Sequence, residues 1–275
     1  HSDLAAVVTA RKDFVGLPGA RHHGTNVAGI IAARRHNGIG TAGIAPGVTL
    51  LDARVCTENV CPSSAVANGV VWAVANGADV INMSLGGGYS SAISSAVRYA
   101  LDKGVVVVAA AGNSACSAFM SGSTGSDGPN RCLSSMTSDN YPARLAGVIS
   151  VAAITSGLTR ADYSSYGPSV SVGAPTDVLT TNNVQYGSFS GTSAASPHVA
   201  AVAAMVLQAD PTLNPGDVKA IIQQSTRAYP VALRQRTWES CGDYDSTTGY
   251  WKNCTGLTDS AVTEHALGGA GFLDA

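Results

Sequence analysis

The sequence predicts an α/β fold, a mainly parallel β-sheet flanked by helices on both faces. Two observations carry this. Short apolar runs rich in β-branched residues, at 48–55, 78–84, 105–110 and 147–153, alternate with segments of helical length. The 275 residues are 45% apolar and only 12% charged, enough to bury such a sheet on both sides. No Pro/Gly/Ser-rich linker separates two apolar halves, so one domain over 1–275 is expected.

The elements follow in order. His1-Ser2-Asp3-Leu4 opens the chain with no strand before it. Arg21 to Gly29 reads as a turn entering an apolar helix that continues through Ile30 to Ala33, and Gly29 allows close packing. Residues 36–46 form a glycine-rich loop, and Val48 to Val55 a strand. Ser64 to Asn76 is helical and ends near Gly77. Ala78 to Ser84 is a strand running into Leu85-Gly86-Gly87-Gly88. Ser91 to Lys103 is helical, stopped by Gly104, and Val105 to Ala110 is a strand ended by Ala111-Gly112-Asn113. A long polar loop, Ser114 to Asn140, precedes a strand at Gly147 to Ala153. An apolar run from Val199 to Leu207 and the segment Asn214 to Ser225, with Pro215 near its start, are helical. Tyr229 to Thr263 is a polar and aromatic insertion. In parallel sheets of this kind, chemistry sits at the carboxyl ends of the strands.

Composition excludes several functions. A net charge of −2 with no basic run argues against nucleic acid as a partner. No apolar stretch reaches membrane-spanning length, so no membrane partner is expected, and no signal-peptide pattern opens the chain. Six cysteines fall into three close sets, Cys56/Cys61, Cys116/Cys132 and Cys241/Cys254. None has zinc-knuckle spacing. Sequence proximity favours three local disulfides, with free buried thiols as the alternative. Disulfides imply an oxidising compartment and hence a secreted protein.

The chemistry centres on Ser190-Gly191-Thr192-Ser193-Ala194-Ala195-Ser196-Pro197-His198-Val199-Ala200. A serine at the start of a helix sits beside unpaired N–H groups and a positive dipole end, which suits a nucleophile whose reaction develops negative charge. Pro197 fits a first turn, where no N–H is needed. Read blandly, Thr192, Ser193 or Ser196 only caps the helix. The full string resembles the nucleophile motif of the subtilisin-like serine proteases, the subtilases, with Ser193 as nucleophile and Ala194 where methionine is usual. It lacks the G-x-S-x-G pattern of esterases and lipases.

A serine hydroxyl needs an adjacent base. His23-Gly24-Thr25 followed by Val27-Ala28-Gly29 resembles the subtilase histidine motif, with Asn26 in place of its second histidine. His22 lacks the following Gly-Thr, and His198 lies within the nucleophile motif, where packing is its expected role. Ala110-Ala111-Gly112-Asn113 resembles the family's oxyanion segment. The resemblance therefore implies Asn113 as one donor and the backbone N–H of Ser193 as the other. It also implies that Ser84, Leu85 and Gly86 form one wall of the first specificity pocket and Ala110, Ala111 and Gly112 the other. A substrate strand would pair with these backbones. Asn140 falls at the pocket base, where subtilisins often carry glycine, so its side chain should narrow the pocket or make it more polar.

The family's triad runs Asp, His, Ser, its aspartate on a strand upstream of a His-Pro-Asp-Leu-like turn. His1-Ser2-Asp3-Leu4 resembles that turn. The chain thus reads as starting just after the catalytic aspartate. Asp3, Asp13 and Asp52 lack its context, and no residue is assigned to that role. A separate N-terminal fragment supplying this aspartate is an expected partner, beside polypeptide substrates and a pro-region or protein inhibitor. The family also often holds a structural calcium ion. Here Asp3, the Asn37 side chain and the carbonyls of Ile39 and Thr41 would bind it, through hard oxygen ligands. No cofactor is expected for catalysis. The resemblance implies a secreted serine endopeptidase acting through an acyl-enzyme. The alternatives are a catalytically silent protein of the same fold that only binds, and a serine esterase.

Overall fold

The computed structural model describes residues 1–16, 22–58, 60–114, 140–167 and 169–226, and the backbone of four strands between 234 and 261. After a short 3-10 turn, Ser2–Leu4, come β1 (Val8–Asp13), α1 (His22–Ala32), β2 (Leu50–Arg54), α2 (Ser63–Ala75), β3 (Val80–Met83) and α3 (Ser91–Asp102). Then follow β4 (Val106–Ala110), β5 (Ile149–Ile154), β6 (Val172–Pro175), β7 (Val178–Asn182), β8 (Gln185–Phe189), α4 (Thr192–Ala209) and α5 (Pro215–Gln224). The backbone of β9 (Arg234–Ser240) pairs antiparallel with β12 (Thr255–Ala261), and β10 (Tyr244–Asp245) with β11 (Tyr250–Trp251).

The central sheet runs β3-β4-β5-β6, all parallel, with Val80 opposite Val106, Val108 opposite Ile149 and Val151 opposite Val172. Its strands are apolar at nearly every position because both faces are covered. β4 shows the division of labour. Val106 and Val108 point to a core made with Ala195, Val199 and Ala203 of α4 and with Val218 and Ile222 of α5. Val107 and Ala109 point the other way, onto Val66 and Val70 of α2 and Val97 of α3. This alternation is the strand period of two. Helix α4 presents small residues on almost every side of its first half, which lets it lie buried against the sheet.

The expected α/β architecture is present, with one difference in the sheet. The parallel strands fall into two hydrogen-bonded groups, β1-β2 and β3-β4-β5-β6. Among the described residues β2 pairs with β1 alone and β3 with β4 alone. Helix α2 reaches both groups: its Gly69 approaches Ala53 and Val55, while Val66 and Val70 pack with Ile81 and Met83.

Strand β1 was not anticipated, since Arg11, Lys12 and Asp13 are exposed and interrupt any apolar run. At its end Asp13 accepts from the amides of Val15 and Gly16 at 2.9 and 3.0 Å and from the Arg54 guanidinium at 2.7 Å. Those three donors, in that order, hold its carboxyl down at about 2. The β7–β8 hairpin turns through Asn183, whose φ of +50° asparagine tolerates better than most residues.

Candidate active site

The segments singled out in the sequence meet at the carboxyl ends of β3 and β4 and the start of α4. Gly191 precedes α4 with φ +97°, a conformation suited to glycine. Its N–H donates to the Tyr163 hydroxyl at 3.0 Å. The helix begins at Thr192, so Pro197 lies inside it, in the second turn. That corrects its expected place in the first turn. A proline there costs about 3 kcal/mol in a regular helix, partly because it cannot donate to the carbonyl four residues back. That carbonyl belongs to Ser193. It accepts instead from the Ser84 hydroxyl at 2.9 Å, from the segment that follows β3. Ser84 Oγ is fixed in turn by Asn82 Nδ2 at 3.0 Å and the Ser196 hydroxyl at 2.8 Å. The proline thus frees a main-chain acceptor by which Ser84 pins the turn at Ser193.

Ser193 is half-buried, and its hydroxyl donates weakly to the Ser84 carbonyl at 3.4 Å. Asn113 follows β4. Its Oδ1 accepts from the Thr192 N–H at 2.9 Å and the Thr192 hydroxyl at 2.8 Å. With the oxygen committed to two donors, Nδ2 is the amide atom nearer to Gly191. A Cβ built on Gly191 would stand 3.3 Å from Asn113 Nδ2 and 3.6 Å from the Ser193 nitrogen. The bare Gly191 therefore leaves a seat between two N–H donors at a helix N-terminus, an arrangement suited to an oxyanion.

His23 stands in the first turn of α1, which packs on α4. Its ring meets Phe189 edge-on, with centroids 5.2 Å apart. One part of His23 is open to solvent, yet the protein packed around the imidazole lowers its pKa from the ordinary value by desolvation. No hydrogen bond joins His23 to Ser193 in this structure; such contacts are commonly long before substrate binds. His22 lies beside it, exposed. Asn26 is buried, and with its amide nitrogen facing the carbonyls of His22 and Thr181, at 2.8 Å each, it ties α1 to β7. His198 is buried one turn beyond Ala194, to whose carbonyl its Nδ1 donates at 2.8 Å; desolvation lowers its pKa, and it plays a packing part.

Each aspartate near the chain start is engaged away from His23. Asp13 holds Arg54, and Asp52 meets Arg11 at 3.3 Å. Asp3 is fully buried, accepting from Asn37 Nδ2 at 2.5 Å and the Tyr186 hydroxyl at 2.8 Å. Asn37 Oδ1 accepts from the Ile39 N–H at 3.2 Å, and positive φ values at His36, Gly38 and Gly40 shape the loop that meets Asp3. Tyr186 and its bond to Asp3 were missed in the sequence, as was Phe189 against His23. Burial and the Asp3 carboxylate raise the Tyr186 pKa.

The two walls expected for the specificity pocket stand next to each other. Leu85 and Gly86 continue from β3, and buried Ala110 and Ala111 lead from β4 to Gly112. Asn140 lies between them, its Nδ2 donating to the Ala110 carbonyl at 2.9 Å. A disulfide joins Cys56 and Cys61. Cys116, Cys132, Cys241 and Cys254 lie outside the residues whose side chains are described.

Residues 12–257 match the Subtilase family. The chain is 38% identical over 241 residues to an extracellular protease of Xanthomonas campestris pv. campestris, covering 79% of this chain and 38% of that one. It is 43% identical over 201 residues to subtilisin DY of Bacillus licheniformis, covering 72% of this chain and 67% of that one. It spans only 51% of the length of subtilisin E of Bacillus subtilis. Among solved structures, it resembles a protease of Pseudoalteromonas arctica with a TM-score of 0.72 and 32% identity, covering 84% of this chain and 80% of that one. A cold-adapted subtilisin-like serine proteinase matches with a TM-score of 0.71 and 30% identity, over 84% and 79% of the two chains.

Proposed function

We propose that this chain, which belongs to the subtilase family, is a secreted serine endopeptidase that cleaves polypeptides through an acyl-enzyme. The observation that carries the reading is the pair of N–H donors flanking Gly191, beside a serine whose turn Ser84 holds in place. Ser193 Oγ attacks the scissile carbonyl as His23 removes its proton. Asn113 Nδ2 and the Ser193 N–H take the charge that develops on the carbonyl oxygen. His23 then gives the proton to the leaving amine, and water attacks the acyl-enzyme by the same route in reverse. Asn113→Leu should lower kcat by about 10²–10³ with little change in KM, a scale that is subtilisin's own. Steady-state hydrolysis of a peptide anilide measures it. A KM-only effect would place Asn113 outside the oxyanion seat.

The base needs an orienting carboxylate. Among the described residues none touches His23. We place that carboxylate on an extended segment outside residues 1–275, pairing with the edges of β2 and β3 that no described residue pairs. The break between the two parallel groups and the reach of α2 over both support the placement. A β2–α2–β3 crossover with one strand between its ends is a normal parallel unit. Without such a segment the chain would be a weak peptidase, its orienting carboxylate lost; the first alternative, a silent binding protein, would show no turnover even with the segment supplied. A serine esterase is less well supported, because the histidine precedes the serine and no G-x-S-x-G is present. The Cys56–Cys61 disulfide supports an oxidising compartment, and no described helix is long and apolar enough to cross a membrane.

A calcium ion suits the Asp3 loop. A fully buried carboxylate costs several kcal/mol unless compensated, and the hydrogen-bond partners of Asp3, Asn37 and Tyr186, are neutral. Asp3, the Asn37 amide and the carbonyls of Ile39 and Thr41 are hard oxygen donors of the kind calcium takes. The ion would brace the loop and the start of the chain and take no part in the chemistry. Excess EDTA should lower the melting temperature by several degrees and added calcium restore it. An unchanged transition would show that Asp3 is satisfied by its hydrogen bonds alone.

A further inference from the structure

Asn140 fills space between the two pocket walls. A Cβ on Gly86 would lie 2.3 Å from Asn140 Oδ1 and 2.9 Å from its Cγ. A Cβ on Gly112, from the opposite wall, would lie 2.9 Å from both Cγ and Nδ2. The planar amide is therefore in contact with both glycines at once, wall to wall. Two features anchor it. Nδ2 donates to the Ala110 carbonyl at 2.9 Å. The neighbouring Tyr141 exchanges both backbone hydrogen bonds with Gly87, at 3.0 and 2.8 Å, so the Asn140 backbone is pinned beside the wall it fills. The two glycines are what make room for the amide, since any side chain at either would collide with it. Gly112 also needs its φ of +107°. An aromatic ring is a flat group of similar thickness, and it would have to lie in the slot the amide holds.

We propose that Asn140 is a specificity-determining residue that closes the cleft beside Ser193, restricting the residue on the acyl side of the cut bond to small side chains, alanine first. This rests on the peptidase reading above. Steric exclusion is the dominant effect. A large side chain has to displace the amide and leave the Ala110 carbonyl without its donor, a loss on top of the lost space. Alanine needs neither.

The test compares the full-length protein with Asn140→Gly and Asn140→Ala. Two peptide anilides, identical except for Ala or Phe at the acyl position, give kcat/KM, normalised to the serine reactive toward a fluorophosphonate. The parent protein is expected to favour Ala over Phe by at least tenfold. Asn140→Gly is expected to raise the Phe/Ala ratio at least tenfold, and Asn140→Ala by an intermediate factor. A parent preference for Phe, or a ratio that neither variant moves, overturns the assignment. Matched Ala and Phe phosphonate probes read the same ratio as labelling rates when turnover is slow. Equal labelling by both probes contradicts the pocket assignment but leaves the peptidase reading standing. Absence of labelling by any probe overturns both.

Discussion

In the protein that carries its orienting carboxylate, replacing Ser193 by alanine is expected to remove about six orders of magnitude from kcat, the loss subtilisin itself shows when its nucleophile is deleted. The physical reason is local. The alanine variant keeps the main-chain N–H at the oxyanion seat and the carbonyl that Ser84 holds, so binding and the donor pair survive. What is lost is the atom that forms the acyl bond. KM should therefore stay within a few-fold while kcat falls to the residual level of donors and positioning alone. The change is buried only in part and removes one oxygen, so the melting temperature should move little. Burst kinetics with an ester substrate separate the cases: the parent releases a burst of one product per active site, and the variant none.

The next largest effect concerns the carboxylate. Residues 1–275 alone should be a weak peptidase. Supplying an extended segment with an aspartate at the position facing His23 should raise kcat by about 3 × 10⁴, the value subtilisin loses when that residue is removed. In the chain itself the pKa of His23 is lowered, and the cause is desolvation. A carboxylate beside the ring favours the imidazolium and must move the pKa upward. His23 works as a base only when neutral, so the acid limb of kcat/KM should shift to higher pH in the complemented protein. Apolar positions of the added strand should also raise the melting temperature, because β2 and β3 gain a ladder partner each. Full activity from residues 1–275 without any addition would mean that another group orients His23.

The place of the proposed site in the fold was largely legible in the sequence, and for local reasons. Ser193, His23 and Asn113 each sit at a helix start or a strand end, where glycines and small residues mark the turn. The central strands were legible because burial on both faces makes them continuous apolar runs, as in Val106 to Ala110. Strand β1 was hidden because its charged, exposed residues lack that run. The Ser84–Ser193 link was hidden because its partners lie 109 residues apart, although Pro197 signalled a free carbonyl at Ser193. Tyr186 could not be foreseen as a partner of Asp3, 183 positions away. Asn140 was legible as an added side chain, but its wedge between Gly86 and Gly112 needed the two walls in space.

The most direct measurement of the account is the site of covalent capture by a fluorophosphonate, mapped by mass spectrometry of the digested protein. Stoichiometric modification of Ser193 and no other serine is expected, abolished in Ser193→Ala, slowed by orders of magnitude in His23→Ala and slowed less in Asn113→Leu. Modification of a different serine, or peptide hydrolysis that persists with Ser193 unmodified, would contradict it.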